Sequence, residues 1–141
     1  MLYYELLSGN ETVNADVYAA QLRKLAAAVR EKRPRRANVY LLHDNARPHI
    51  ASKTHQQLES LGWEPLPHPS YSPDIAPSDY HLSRALKNVL RGKRFVNFGE
   101  VKSELTSFFS SQKPEFWAKG IQSLPDRWQQ VIDADGQYNV D

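Results

Sequence analysis

Val39-Tyr40-Leu41-Leu42-His43-Asp44-Asn45-Ala46-Arg47-Pro48-His49 is the stretch whose reading decides the fold. Within Ala37 to Leu42 it has the β-branched and apolar content of a buried strand, and His43-Asp44-Asn45 ends that strand with residues that favour turns. After Pro48, the residues Ile50, Thr54, Leu58 and Leu61 recur on one face of a helix, and Gly62 stands where a left-handed residue closes it. A strand that hands over to a helix within a few residues is the basic step of an α/β protein.

The same reading extends in both directions. Upstream, Leu2 to Leu7 alternates weakly before Ser8-Gly9-Asn10, which predicts a strand ending in a turn. Asn14 is placed to cap a helix on which Tyr18, Leu22, Leu25 and Val29 share a face, and that helix ends before Pro34. Downstream, Trp63 to Leu66 predicts a short strand, and Pro65, which cannot donate to a ladder, puts it at a sheet edge. Pro69, Pro73 and Pro77 make His68 to Pro77 a loop. A third helix is expected from Ser78 through Leu82, Leu86, Val89 and Leu90 to Gly92-Lys93-Arg94. Val101, Leu105 and Phe108 mark a fourth, and further helical turns surround Pro125. Trp63, Trp117 and Trp128 are read as core anchors.

With 141 residues and 40% hydrophobic content, the chain suits a single globular domain. It has no cysteine, which excludes disulfides, thiolate metal sites and cysteine nucleophiles. No run reaches the ~20 apolar residues of a membrane span and no signal-peptide pattern opens the chain, so a soluble intracellular protein is expected, without a membrane partner. The formal charge is only +2, but Arg30, Lys32, Arg33, Arg35 and Arg36 crowd around Pro34. Such a cluster suits a polyanion and suits a solvated helix end equally well. Lys93 and Arg94 beside Phe95 have the composition for phosphate contact and base stacking, or for a favourable helix C-terminus.

Two aspartates stand out by position. Asp44 ends a strand and Asp79 opens a helix, three residues before Leu82 and seven before Leu86, which predicts a core-facing carboxylate. Taken singly, Asp44 is an ordinary turn residue and Asp79 an ordinary first-turn acid. Taken together they suggest a divalent-metal site, because two carboxylates brought close repel unless a cation screens them, and hard oxygen ligands select Mg²⁺ or Mn²⁺. His43 neighbours Asp44 on the strand and points to the opposite face, which leaves it a supporting or packing role. His49, His68 and His81 are read as surface or core histidines, and the chain has no zinc spacing, no Gly-rich phosphate loop and no small-molecule cofactor motif.

As whole strings, the two segments resemble the catalytic region of mariner-type DNA transposases, in the Tc1/mariner superfamily. His43 to His49 looks like the second-aspartate motif of that family, and Tyr71-Ser72-Pro73-Asp74 through Pro77-Ser78-Asp79-Tyr80-His81-Leu82 looks like its third. The 34 residues between Asp44 and Asp79 match the mariner spacing and choose Asp79 over Asp74. The resemblance extends to Tyr3-Tyr4-Glu5-Leu6-Leu7, to Gly92-Lys93-Arg94-Phe95 and to Leu124-Pro125-Asp126-Arg127-Trp128, almost the whole chain.

The resemblance implies an RNase H-like mixed sheet flanked by helices, and metal-dependent DNA cleavage and strand transfer with Asp44 and Asp79 as catalytic ligands of a two-metal Mg²⁺ or Mn²⁺ site. His43 and Asn45 would support those ligands, and Arg30, Lys32, Arg33, Arg35, Arg36, Arg47, Lys93 and Arg94 would contact DNA. It also implies a nuclear location. The family's first catalytic aspartate, its central strand and its helix-turn-helix domains lie upstream of the segment matched by Leu2 to Leu7. Residues 1–141 are therefore expected to form a single partial catalytic domain that lacks the central strand, binds metal weakly, is impaired or inactive in strand transfer, and pairs as a homodimer or through exposed sheet edges. The alternative is a non-catalytic DNA-binding or dimerisation module.

Overall fold

The computed structural model of the chain describes residues 1–137, and Cα proximity divides the chain into two compact units, Met1–Ser70 and Tyr71–Asp141. In the first unit, helix α1 (Ala15–Lys32) starts where Asn14 leaves extended backbone and accepts a hydrogen bond from the Val17 amide at 2.9 Å. That bond satisfies one of the donors every helix start leaves unpaired. Ala19, Leu22 and Ala26 form its buried stripe, and the helix closes at Arg33, just before Pro34.

Strands β1 (Val39–Leu41) and β2 (Trp63–Pro65) pair in parallel, with Val39 opposite Trp63 and Leu41 opposite Pro65. The connection between them holds helices α2 (Arg47–Ile50) and α3 (Ser52–Leu61), so the unit is a βαβ crossover preceded by a helix. Helix α1 packs against α2 and α3.

Several expectations are corrected here. The strand expected over Ala37 to Leu42 forms over three residues and is not buried: Tyr40 is 60% exposed, because strand alternation turns only Val39 and Leu41 inward. Leu2 to Leu7 forms no strand, since the only ladder among the described residues is that of β1 with β2 and an extended run without a ladder partner is not a strand. The helix after Pro48 is interrupted at Ala51, whose ψ of 146° is extended. That break rotates Ile50 off the shared face, leaving it 52% exposed, while Thr54 and Leu58 are buried. Thr54 donates its hydroxyl to the Pro48 carbonyl and so ties the two short helices together. Gly62 closes α3 as expected, at φ 66°, with its amide donating to the Glu59 and Leu58 carbonyls.

In the second unit a 3₁₀ turn (Pro73–Ile75) buries Ile75 and leads into a π-helical turn (Ser78–Ser83), then α4 (Arg84–Leu90). The expected third helix is thus wound in two ways along its length. Helix α5 (Phe98–Ser111) is capped by Asn97, which accepts from the Glu100 amide at 3.0 Å, while Glu100 accepts from the Val96 amide at 2.8 Å. Helices α6 (Pro114–Gln122) and α7 (Leu124–Asp133) follow. Phe108, Phe109, Phe116 and Trp117 meet as an aromatic cluster with ring centroids 5.1 to 6.4 Å apart. The tryptophans are less buried than expected: Trp63 and Trp117 are partly covered, and Trp128, on the apolar face of its helix, is still 38% exposed. No helix among the described residues is long and apolar enough to cross a membrane.

Candidate active site

Asp44 follows the end of β1 and is held from two sides. Its Oδ1 accepts the Ala46 amide at 2.9 Å, a turn closed by the side chain on its own backbone, and lies 2.5 Å from Nδ1 of His49 on α2. Partial burial pushes the carboxyl pKa up, but the Ala46 amide, the hydrogen bond and charge of His49, and more weakly His68 outweigh it, so Asp44 stays below its usual range and ionised. About half of the side chain remains exposed.

His49 sits inside an aromatic frame. The Tyr18 ring lies 4.2 Å from it, tilted by 37°, and the His43 ring lies 5.2 Å away and nearly parallel at 6°. The frame is closed by a 2.8 Å hydrogen bond between the Tyr18 hydroxyl and His43 Nδ1. Because β1 ends at Leu41, strand alternation no longer governs His43, which packs beside His49. Burial, followed by the neighbouring His49, lowers the His43 pKa and favours a neutral ring. Asn45 turns away from the carboxylate and donates to the His68 carbonyl at 2.8 Å and to Ser70 Oγ at 3.3 Å, which fixes the loop after β2.

Burial and the negative field of Asp44 push the Tyr18 phenol up to about 12. A raised folded-state pKa means that the folded chain holds this proton more tightly than the unfolded chain does. The resulting stability is present in full below the ordinary tyrosine value near ~10 and is lost as pH rises through the folded value. Tyr18→Phe is expected to flatten the alkaline fall in stability between about pH 10 and 12 relative to the unmodified chain. Urea unfolding midpoints across that range measure it, and an unchanged alkaline limb would contradict the shift.

Asp79 lies within the π-helical turn and is exposed, not core-facing. The expectation assumed 3.6 residues per turn, whereas a π turn carries more, so the residues after Asp79 turn inward in its place. The Tyr80 hydroxyl donates to the Gly120 carbonyl on α6, and His81 Nε2 lies 2.7 Å from the Phe116 carbonyl. The Arg127 guanidinium sits 4.2 Å over the Tyr80 ring and donates to the Asp74 carbonyl at 3.1 Å. Asp79 thus opens onto a groove of about 410 Å³, with Asp74, Ser83, Arg84 and Lys87 along its walls.

Arg30, Lys32, Arg33, Arg35 and Arg36 are all exposed around the end of α1, and Arg47 is exposed at the start of α2. The Lys93 ammonium pairs with Glu104 at the surface. The surface around Lys93, Arg94 and Phe95 is an open groove of about 870 Å³ that also carries Glu100 and Glu104, so its charge is mixed. The sequence reading missed His49 as the partner of Asp44 and Tyr18 as the ring that packs on His49.

Asp44 and Asp79 present exposed carboxylate oxygens, donors that suit Mg²⁺ or Mn²⁺ and not a soft metal. Among the described residues no group of three His, Cys, Asp or Glu side chains converges on one point, so each acid by itself could contribute only part of a ligand set.

A βαβ unit with an acid after its first strand and a second acid on a distorted helical turn makes this an α/β chain, and comparisons with known proteins give its RNase H-like class. The family model "Transposase (partial DDE domain)" matches residues 1–39. Mariner Mos1 transposase of Drosophila mauritiana is 44% identical over 142 residues, which cover 98% of this chain and 41% of the relative. The human histone-lysine N-methyltransferase SETMAR is 40% identical over 146 residues, covering 98% of this chain and 21% of that protein. The solved Mos1 catalytic domain with raltegravir and Mn superposes with a TM-score of 0.95 at 45% identity, across 99% of this chain and 72% of that one. Mos1 has also been solved with Mg and as a paired-end complex with the left transposon end. The chain belongs to the mariner transposase family and corresponds to part of its catalytic domain. It spans about two-fifths of the length of Mos1 transposase and about one-fifth of SETMAR.

Proposed function

We propose that this chain supplies the Asp44 and Asp79 carboxylates to a Mg²⁺- or Mn²⁺-dependent site that cuts and joins transposon DNA. The observation that carries the reading is the state of Asp44: ionised, half exposed, and held by two donors on one oxygen within a domain 45% identical to the Mos1 catalytic domain. When bound, such an ion supplies a Lewis acid at phosphorus and lowers the pKa of the attacking water or hydroxyl. The chain's own part is to hold Asp44 ionised and oriented and to present Asp79 from its helical turn. No covalent protein nucleophile is needed, which is consistent with the absence of cysteine.

Arg30, Lys32, Arg33, Arg35, Arg36 and Arg47 are proposed to contact the DNA backbone, with Arg94 in the same role at the mixed groove. The exposed basic run also suits nuclear import, in keeping with a DNA substrate. Tyr40 is exposed, and among the described residues each of the two strands has one neighbour, so self-association through the sheet edges is proposed as the mode of pairing.

Titrating Mn²⁺ into the chain and following two-dimensional NMR is expected to give saturable changes centred on Asp44 and Asp79, lost in Asp44→Ala and in Asp79→Ala. Changes that persist in both variants would refute the ligand assignment. A second reading, a DNA-binding module without catalysis, is favoured by the exposed basic run. It would be supported by DNA affinity that falls steeply with salt and is indifferent to both aspartate substitutions.

A further inference from the structure

We infer that His49 is a positioning residue for Asp44, fixing that carboxylate as a one-oxygen ligand that presents Oδ2; this rests on the proposed role of Asp44 as a metal ligand. Three observations carry it. Both hydrogen bonds to the side chain, from the Ala46 amide and from His49, end on Oδ1, which uses its two lone pairs. Among the described residues Oδ2 accepts no hydrogen bond, and half of the side chain faces solvent. His49 itself has little freedom to swing away, since Tyr18 from α1 and His43 from the end of β1 pack on its ring and bond to each other.

The bonding fixes the direction of the proton as well. An ionised carboxylate only accepts, so at 2.5 Å the proton lies on His49 Nδ1, and the histidine holds the acid by donation. Two donors on one oxygen stop the carboxylate from rotating into a chelating pose. Partners of this kind, outside the coordination sphere, commonly govern metal affinity by 10- to 100-fold, roughly, when they are removed.

The assignment separates donation from packing, and so does its test. His49→Phe keeps a ring between Tyr18 and His43 but has no donor, while His49→Asn keeps a donor at the Nδ1 position without the ring. Mn²⁺ affinity is read from the free-ion EPR signal in the full chain, with folding checked by amide NMR dispersion. His49→Phe is expected to weaken Mn²⁺ binding by about 10- to 100-fold, and His49→Asn to restore most of it. Should His49→Phe fail to fold, His49→Leu, close in shape to asparagine, serves as the variant without a donor and is judged against His49→Asn. Near-native affinity in whichever donor-less variant folds would overturn the inference. So would an asparagine variant as weak as the donor-less one, since packing alone would then explain the loss. Asp44→Ala distinguishes the two levels of the argument. If it binds Mn²⁺ like the unmodified chain, or if the unmodified chain shows no saturable binding, the metal reading fails and takes this inference with it. If it abolishes binding while the donor-less variant is neutral, only the role of His49 fails.

Discussion

Leu58→Ala is expected to destabilise residues 1–70 by about 2 to 5 kcal/mol, the range for emptying a packed leucine site. Leu58 is 2% exposed on α3, in the layer where α3 packs on α1 and its stripe of Ala19, Leu22 and Ala26. Two of those three residues are alanines, so α1 offers few long side chains that could shift to fill the void. The neighbouring buried group is Thr54, whose hydroxyl is committed to the Pro48 carbonyl. Domains are stable by only about 5 to 15 kcal/mol, so a loss of this size would leave a sizeable unfolded fraction in mild denaturant. The chain has two compact units, and a single transition cannot be assumed. Urea titration followed through resolved amide signals from residues 1–70 is the suitable measurement. A loss below about 1 kcal/mol would mean that the site collapses freely and that the α1–α3 layer is not close-packed.

The second large effect is expected at Gly120. A Cβ added there would come 2.6 Å from His81 Cδ2, closer than real contacts allow, and a tight 3.1 Å from Cγ. Because glycine is a poor helix residue, Gly120→Ala on α6 would by propensity alone gain up to about 1 kcal/mol. The clash reverses that sign, and a net loss of about 1 to 3 kcal/mol is expected. His81 cannot easily yield, since its Nε2 is engaged at the Phe116 carbonyl and its ring lies 4.4 Å from Phe116. The consequence reaches further than stability, because Tyr80 and His81 anchor the turn that carries Asp79. Pairing Gly120→Ala with His81→Ala checks the cause. If the clash is responsible, the double variant loses clearly less than the sum of the two single ones. Additive losses would place the strain elsewhere.

What the sequence made legible is local chemistry. Asn14 and Gly62 bound their helices as expected because a cap bonds within a few residues of itself, and Pro65 on β2 followed from its missing amide hydrogen. The whole-string match of His43 to His49 and Tyr71 to Leu82 gave the family, although neither aspartate alone distinguishes itself from a turn or a helix start. Less legible was anything requiring residues far apart to meet. Tyr18 and His43 are 25 positions apart, and no periodicity announces that the first would brace the second. Helical phase also failed where winding changed: Ala51 broke the face that Ile50 was to share with Thr54, and the π turn carried Asp79 outward. In both cases the hydrophobic pattern assumed one uniform helix.

The π turn over Ser78–Ser83 has a consequence for how this region can vary in length. It holds surplus winding, so deleting one residue there would let the backbone relax into ordinary α-helix continuous with α4 and could even tighten the hydrogen bonding. The same deletion would turn everything upstream of it by about 100° about the helix axis. A one-codon loss in this turn would therefore keep a helix while displacing the Tyr80 and His81 anchors and changing the direction in which Asp79 points. Alignments of functional copies should hold this segment at fixed length, while decayed copies should show gaps there early.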